Sequence, residues 1–235
     1  MKIVSRAPLP KASDLVVVSL RRRILSERLP VGTRLPSVDE LMEEHGLGRV
    51  TVREALRILE NDGLIDIRRG PSGGVFVRQI DIRQVSEALG LLFSSNGTTV
   101  GEFADFRLFV EPEVARLAAL NANDQQREQI VADAQHERAA RQSVDLHSAI
   151  ADACGNGVYE FMMKAMHSPL SGHFRHNLIS QEDEELTVQA HVKIAKCIAA
   201  GDAPGAEKAM RHHLVAWKDY IVSHGLENEN IFPTG

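Results

Sequence analysis

Residues 46–77 read GLGRVTVREALRILENDGLIDIRRGPSGGVFV, and their order decides the fold of the first third of the chain. Val52, Ala55, Leu56 and Leu59 recur at three- and four-residue spacing, the stripe of a half-buried helix. Gly63 follows where such a helix takes a left-handed cap. LIDIRRG and GVFVRQI alternate apolar and polar residues around Pro71-Ser72-Gly73-Gly74, the pattern of a β-hairpin. Upstream, Pro30, Gly32 and Pro36 punctuate a turn and a short extended segment. Ser37 with Glu40 three residues on has the spacing of a capping box, so a helix starts at Val38 and stops near Gly46. SDLVVVSLRRRILSERL predicts an earlier helix with Ser13 or Asp14 as its N-cap. Val17, Leu20 and Ile24 line its inner face, widened by Leu15, Val16 and Leu25.

Helix, helix, helix, hairpin is the order of a helix–turn–helix with a wing. A helix in the major groove of DNA reaches base edges with its N-terminal residues, while flanking groups hold phosphates. Arg49, Thr51 and Arg53 stand at that end of the third helix, off its apolar stripe. Arg68, Arg69 and Gly70 stand where a hairpin turn lies along the DNA backbone. Charge agrees: residues 1–78 carry 14 Lys and Arg against 10 Asp and Glu, and the remainder 13 against 22. A basic module joined to an acidic one confines contact with nucleic acid to the first.

Composition narrows the remaining classes. At 25% charged and 43% apolar residues, the 235-residue chain is an ordinary globular protein with material for a real core. No apolar run reaches the eighteen or so residues of a membrane helix, and the N-terminal stretch lacks a secretory signal. Two widely spaced cysteines, Cys154 and Cys197, form no disulfide framework, which fits a reducing cytoplasm.

From Ile82 to His224 only helical periodicity is visible, in segments near 82–95, 101–121, 123–140, 143–154, 157–178, 183–200 and 203–224. The final GLENENIFPTG reads as a frayed tail. In EFADFRLFVEPEVARLAALNA, Phe103, Phe106, Val110, Val114 and Leu117 share one face, and Arg107 lies among them. An arginine on an apolar face needs an anionic partner. Glu111, one turn on, is one; a ligand carboxylate gripped by two parallel hydrogen bonds is the other. Nine of ten histidines follow residue 135. His147, His191 and His213 each head or join an apolar helix face, on three different helices, whereas His212 points further toward solvent. Three inward imidazoles that converge are better explained by a metal than by packing.

Two resemblances sharpen these readings. LPVGTRLPSVDELMEEHGLGRVTVREALRILENDGLI resembles the winged helix–turn–helix of GntR-type bacterial transcription regulators, over about residues 13–78. In the fatty-acid-responsive type, the residues matching Arg49, Thr51, Arg53, Arg69 and Gly70 contact DNA, so the resemblance implies that role here. Two positions depart from the pattern. Asp39 replaces a basic residue that faces phosphate, and Gly48 replaces a Ser or Thr before the recognition helix. LHSAIADACGN, QAHVKIAKCIAAGD and AEKAMRHHL, with FRLFVEPEVARLAA, resemble the all-helical FCD effector domain of the FadR subfamily. Many such domains hold a divalent metal through one aspartate and three histidines. The histidines match His147, His191 and His213, but the aspartate position, four residues before the first, is Ser143. Asp145 lies about 200° around a helix from His147 and is no simple substitute.

The sequence therefore predicts a mainly α protein in two parts. Residues 1–78 form a winged helix–turn–helix with a small β-hairpin wing, and residues 79–235 an all-α bundle that binds effector and dimerises. Together with the resemblance it implies a cytoplasmic, ligand-responsive transcription regulator: a homodimer on pseudo-palindromic operator DNA, answering to a small carboxylate. Arg107, Ser143, His147, His191 and His213 are the candidate effector pocket. The three histidines either hold Zn²⁺ or Ni²⁺ without the usual aspartate or bind the effector directly. Rival readings are a regulator whose signal is the metal itself, and a metal-dependent enzyme using a water among the histidines. No HExxH motif, nucleophile elbow or phosphate loop accompanies the latter.

Overall fold

The computed structural model describes residues 11–70, 72–78, 81–140, 145–170 and 181–231. The chain divides into two compact units, Met1–Asp81 and Ile82–Gly235.

In the first unit α1 (Ala12–Ser26), α2 (Val38–His45) and α3 (Arg49–Asn61) precede an antiparallel hairpin of β1 (Ile65–Arg68) and β2 (Gly74–Val77). The segment punctuated by Pro30, Gly32 and Pro36 is extended because it pairs with the hairpin. Leu35 donates its N–H to the Val75 carbonyl, and Thr33 and Val77 are likewise joined. The core is Val16, Leu20, Leu41, the α3 stripe and Ile65, all at most 2% exposed. Ser37 accepts from the Glu40 N–H and donates its own N–H to the Glu40 carboxylate, the predicted capping box. This bond to the Ser37 backbone holds the Glu40 carboxyl below its usual pKa. The start of α1 differs from expectation. Lys11 is the N-cap, its N–H held by Asp14, while Ser13 is buried inside the first turn. Leu15 and Leu25 are more than half exposed, so the inner face of α1 is narrower than the sequence suggests.

In the second unit the described residues form α4 (Ile82–Asn96), α5 (Val100–Asn121), α6 (Asp124–Ala140), α7 (Leu146–Ala153), α8 (Gly157–Leu170), α9 (Gln181–Ala199) and α10 (Ala203–Ser223). Helix α5 is central and packs on α7, α9 and most extensively on α10. Alanines fill much of the interface: Ala115, Ala118, Ala119, Ala151, Ala195 and Ala206 are at most 1% exposed. Arg127 of α6 joins the ends of two helices, donating to the carbonyls of Ala119 in the last turn of α5, of Ala122 at its C-cap and of Ile198 in α9.

The tail is not frayed over its described residues. Val100 donates to the Glu229 carbonyl, Gly101 to that of Glu227, and Ile231 to that of Thr98. Ile231, 1% exposed, packs with Phe103 and Met166. The tail satisfies backbone donors that open α5, which a helix cannot satisfy itself. A Cβ at position 101 would lie 2.9 Å from the Glu227 carbonyl oxygen, so glycine is what allows this approach. Gly101→Val should detach the tail and lower stability by about 1–3 kcal/mol. Limited proteolysis should then cut near Glu227 in the variant and spare the parent; equal cleavage would show that the docking is dispensable.

Candidate functional site

The residues predicted to contact DNA lie on the surface positions that their spacing predicts. Arg49 and Arg53 are exposed and Thr51 half-buried on α3, whose stripe of Val52, Ala55, Leu56 and Leu59 faces the core. Gly48 caps this helix without a side-chain hydrogen bond, so the backbone donors of its first turn lack a side-chain partner there. Arg69 and Gly70 are exposed at the wing tip, and Gly70 has φ 102°, a conformation that favours glycine. Arg68 covers the Phe76 ring at 4.5 Å and pairs with Asp66. Two features escaped the sequence. Arg49 is ion-paired with Asp39 across the turn between the helices. Val50, between the predicted contacts, is 83% exposed, and an apolar side chain at that place suits a thymine methyl.

The second unit gathers the other candidates around α5. His147 comes from α7, His191 from α9 and His213 from α10, the three helices that pack on α5. Ring centroids lie 5.2 Å apart for His147 and His191, 5.4 Å for His147 and His213, and 4.7 Å for His191 and His213. One nitrogen from each ring lies within 4.8 Å of the others. The Nε2 atoms of His191 and His213 are 3.3 Å apart. Two nitrogens at about 2.0–2.1 Å from a tetrahedral zinc stand roughly 3.3 Å from each other, so this pair already has the separation of co-ligands. The donor set fits a divalent borderline metal.

Arg107 is the cation beside them. Its Nε donates to Glu111 Oε1 at 2.5 Å, and its Nη2 lies 3.3 and 3.2 Å from the two ring nitrogens of His147. Its guanidinium carbon sits 4.6 Å from the centre of the Trp217 ring, one turn beyond His213. The alternative in which Glu111 is the anionic partner of Arg107 is thus the arrangement observed. Glu111 is 1% exposed and also reaches His147, Oε2 to Nδ1 at 2.5 Å. That contact spans 36 residues and no local spacing announces it. Ser143 lies outside the described residues. Asp145, two before His147, caps α7 by accepting from the Ser148 N–H.

Burial disfavours the charged form of His147 and His213. Burial pushes the His147 pKa down to about 4, against the opposing pull of Glu111. Burial, then the neighbouring imidazoles, hold His213 well below the usual histidine value of 6.5. A neutral imidazole offers the lone pair that a metal or a ligand proton needs.

A winged helix–turn–helix followed by an all-helical unit with buried imidazoles defines a DNA-binding regulator with its own sensing domain. Comparison with known proteins gives the same class. Residues 12–77 match "Bacterial regulatory proteins, gntR family" and residues 102–216 match the FCD domain. The chain is 30% identical over 220 residues to the HTH-type transcriptional repressor NanR of Citrobacter rodentium, covering 87% of this chain and 83% of that protein. To NanR of Escherichia coli K12 it is 30% identical over 217 residues, with 87% and 82% covered. The solved structure of Streptococcus agalactiae GntR shares the fold at TM-score 0.65 and 23% identity, covering 88% of this chain and 99% of that one. The chain belongs to the GntR family and carries a C-terminal FCD domain. It is a ligand-responsive transcription regulator and not an enzyme, which removes the hydrolytic reading of the three histidines. Among the described residues, no helix is long and apolar enough to cross a membrane.

The depressed histidine pKa values carry a sign. The unfolded chain takes up protons near pH 6.5 that the folded one refuses until about pH 4 at His147, so folded stability is lost as pH falls through that window. Metal-free protein should lose on the order of 1 kcal/mol for each of His147 and His213 between pH 7.5 and 5.5. Urea titrations of the parent and His213→Asn at both pH values measure this; an equal loss in the two would show that His213 charges freely within the fold.

Proposed function

We propose that the first unit reads a pseudo-palindromic operator through Arg49, Thr51, Arg53, Arg69 and Gly70. The second unit, on this reading, holds a divalent metal, zinc or nickel, through His147, His191 and His213, and presents it to a small carboxylate effector. The observation that carries this is the convergence of three inward imidazoles from three helices, two of them buried, with one nitrogen pair at 3.3 Å. Bound there, the metal supplies a Lewis-acidic position for the effector's oxygen atoms. The residues do the rest: the three rings offer ligand nitrogens, Arg107 supplies a positive charge beside them, and Trp217 and Phe103 wall the guanidinium from water. On this reading the chain is a FadR-type member of its family and acts in the cytoplasm.

The proposed regulator is a homodimer. Phe109 is 85% exposed on α5, and Val158 and Phe161 are exposed on α8, apolar area that a second copy would cover. A two-fold dimer reads two half-sites. Effector acts only as far as it binds one arrangement of the two heads better than another.

Direct binding of the effector by Arg107 and the histidines is the second reading, favoured by Ser143 where the family places an aspartate. Elemental analysis of the purified protein beside His147→Ala separates the two. Stoichiometric metal, lost in the variant, is expected; a metal-free parent isolated without chelator would sink the metal reading.

Arg53→Ala should weaken operator binding about ten- to hundredfold without unfolding the chain, since the side chain is exposed. Titration with operator DNA at fixed salt checks this, and unchanged affinity removes Arg53 from the interface.

A further inference from the structure

The three-histidine centre has a carboxylate behind it that sequence alone did not assign. Glu111 is 1% exposed, and its two oxygens go to different groups. Oε1 accepts from Arg107 Nε at 2.5 Å, and Oε2 lies 2.5 Å from His147 Nδ1. Were Glu111 present only to neutralise Arg107, both oxygens would serve the guanidinium in the parallel geometry that pair prefers. Instead the second guanidinium contact is 3.5 Å, and the imidazole has the shorter one.

A neutral imidazole has one N–H and one lone pair, and its partner decides which nitrogen carries which. Arg107 Nη2 is nearly equidistant from the two nitrogens of His147, at 3.3 and 3.2 Å, and does not choose between them. A carboxylate accepts and cannot donate, so Glu111 requires the proton on Nδ1. The Nε2 lone pair then accepts from Arg107 Nη2 at 3.2 Å, and it is the only lone pair His147 has to offer a metal beside His191 and His213.

We infer that Glu111 is the positioning residue of this centre, fixing His147 from behind the ring as its Nδ1–H tautomer. The inference rests on the metal reading above. A carboxylate–histidine–metal chain of this kind raises the ligand's basicity and fixes its orientation.

Two readouts test it. In metal-free, ¹⁵N-labelled protein at neutral pH, long-range ¹H–¹⁵N spectra, assigned with His147→Asn, should show His147 protonated on Nδ1. Zinc affinity, measured by chelator competition, should fall about ten- to hundredfold in Glu111→Gln. Because that variant leaves Arg107 buried with a weaker partner, Glu111→Gln/Arg107→Met is measured beside it. It removes both charges and should fold yet bind zinc as weakly. A zinc-binding parent with His147 protonated on Nε2, or a folded variant with unchanged zinc affinity, overturns the role of Glu111 alone. A parent that takes up no zinc overturns the metal reading and this role with it.

Discussion

One buried carboxylate holds the second unit's polar interior together. Arg107 and three imidazoles sit at 11% exposure or less among alanines, isoleucines and methionines. A lone guanidinium there would cost several kcal/mol in lost hydration, more than most single contacts return. Glu111 offsets that cost from the same helix, one turn away, so the pair is local to α5. The same carboxylate then ties α5 to α7 through His147. The remaining polar contacts follow from this arrangement, since His147 places its ring against His191 and His213.

Small side chains make the convergence geometrically available. Separation between packed helices follows the side chains at the contact and is about 8–10 Å. Ala115, Ala118 and Ala119 of α5, Ala151 of α7, Ala195 of α9 and Ala206 of α10 keep those axes close. Bulky aliphatics in their place would push α7, α9 and α10 outward, and imidazoles, with one rotatable bond beyond Cβ, could not follow. The alanine content and the histidine cluster are therefore parts of one design. Arg127 closes it at one end by capping α5 and α9 together, which fixes the height of His191 against α5.

Much of this was legible in sequence because it is periodic. The α3 stripe, the Ser37 capping box, the hairpin and the inward faces of His147, His191 and His213 are local patterns. Each imidazole could be assigned to a buried face without knowing its neighbours. Their approach to one another could not be, because it depends on how helices distant in sequence pack. Glu111 illustrates the boundary. Its bond to Arg107 spans four residues and was one of two readings, while its bond to His147 spans 36 and had no signal. The tail failed for a related reason. GLENENIFPTG is polar and short, yet its backbone carbonyls meet donors at the start of α5, and hydropathy is blind to backbone partners.

Asp39 shows how a departure from family pattern acquires meaning once its partner is seen. In sequence it is an acid where relatives carry a base, and repulsion of phosphate is the evident consequence. In the structure it holds Arg49, the first residue of the proposed recognition helix. Both side chains are more than half exposed, so the pair contributes at most about 1 kcal/mol. A bidentate arginine–guanine contact discriminates by about 1–3 kcal/mol. DNA can therefore draw on Arg49 without first breaking a strong bond, and a guanidinium held on one edge still offers donors on its others. On this reading Asp39 removes one phosphate contact and orients a base contact, exchanging sequence-independent affinity for discrimination at a single position.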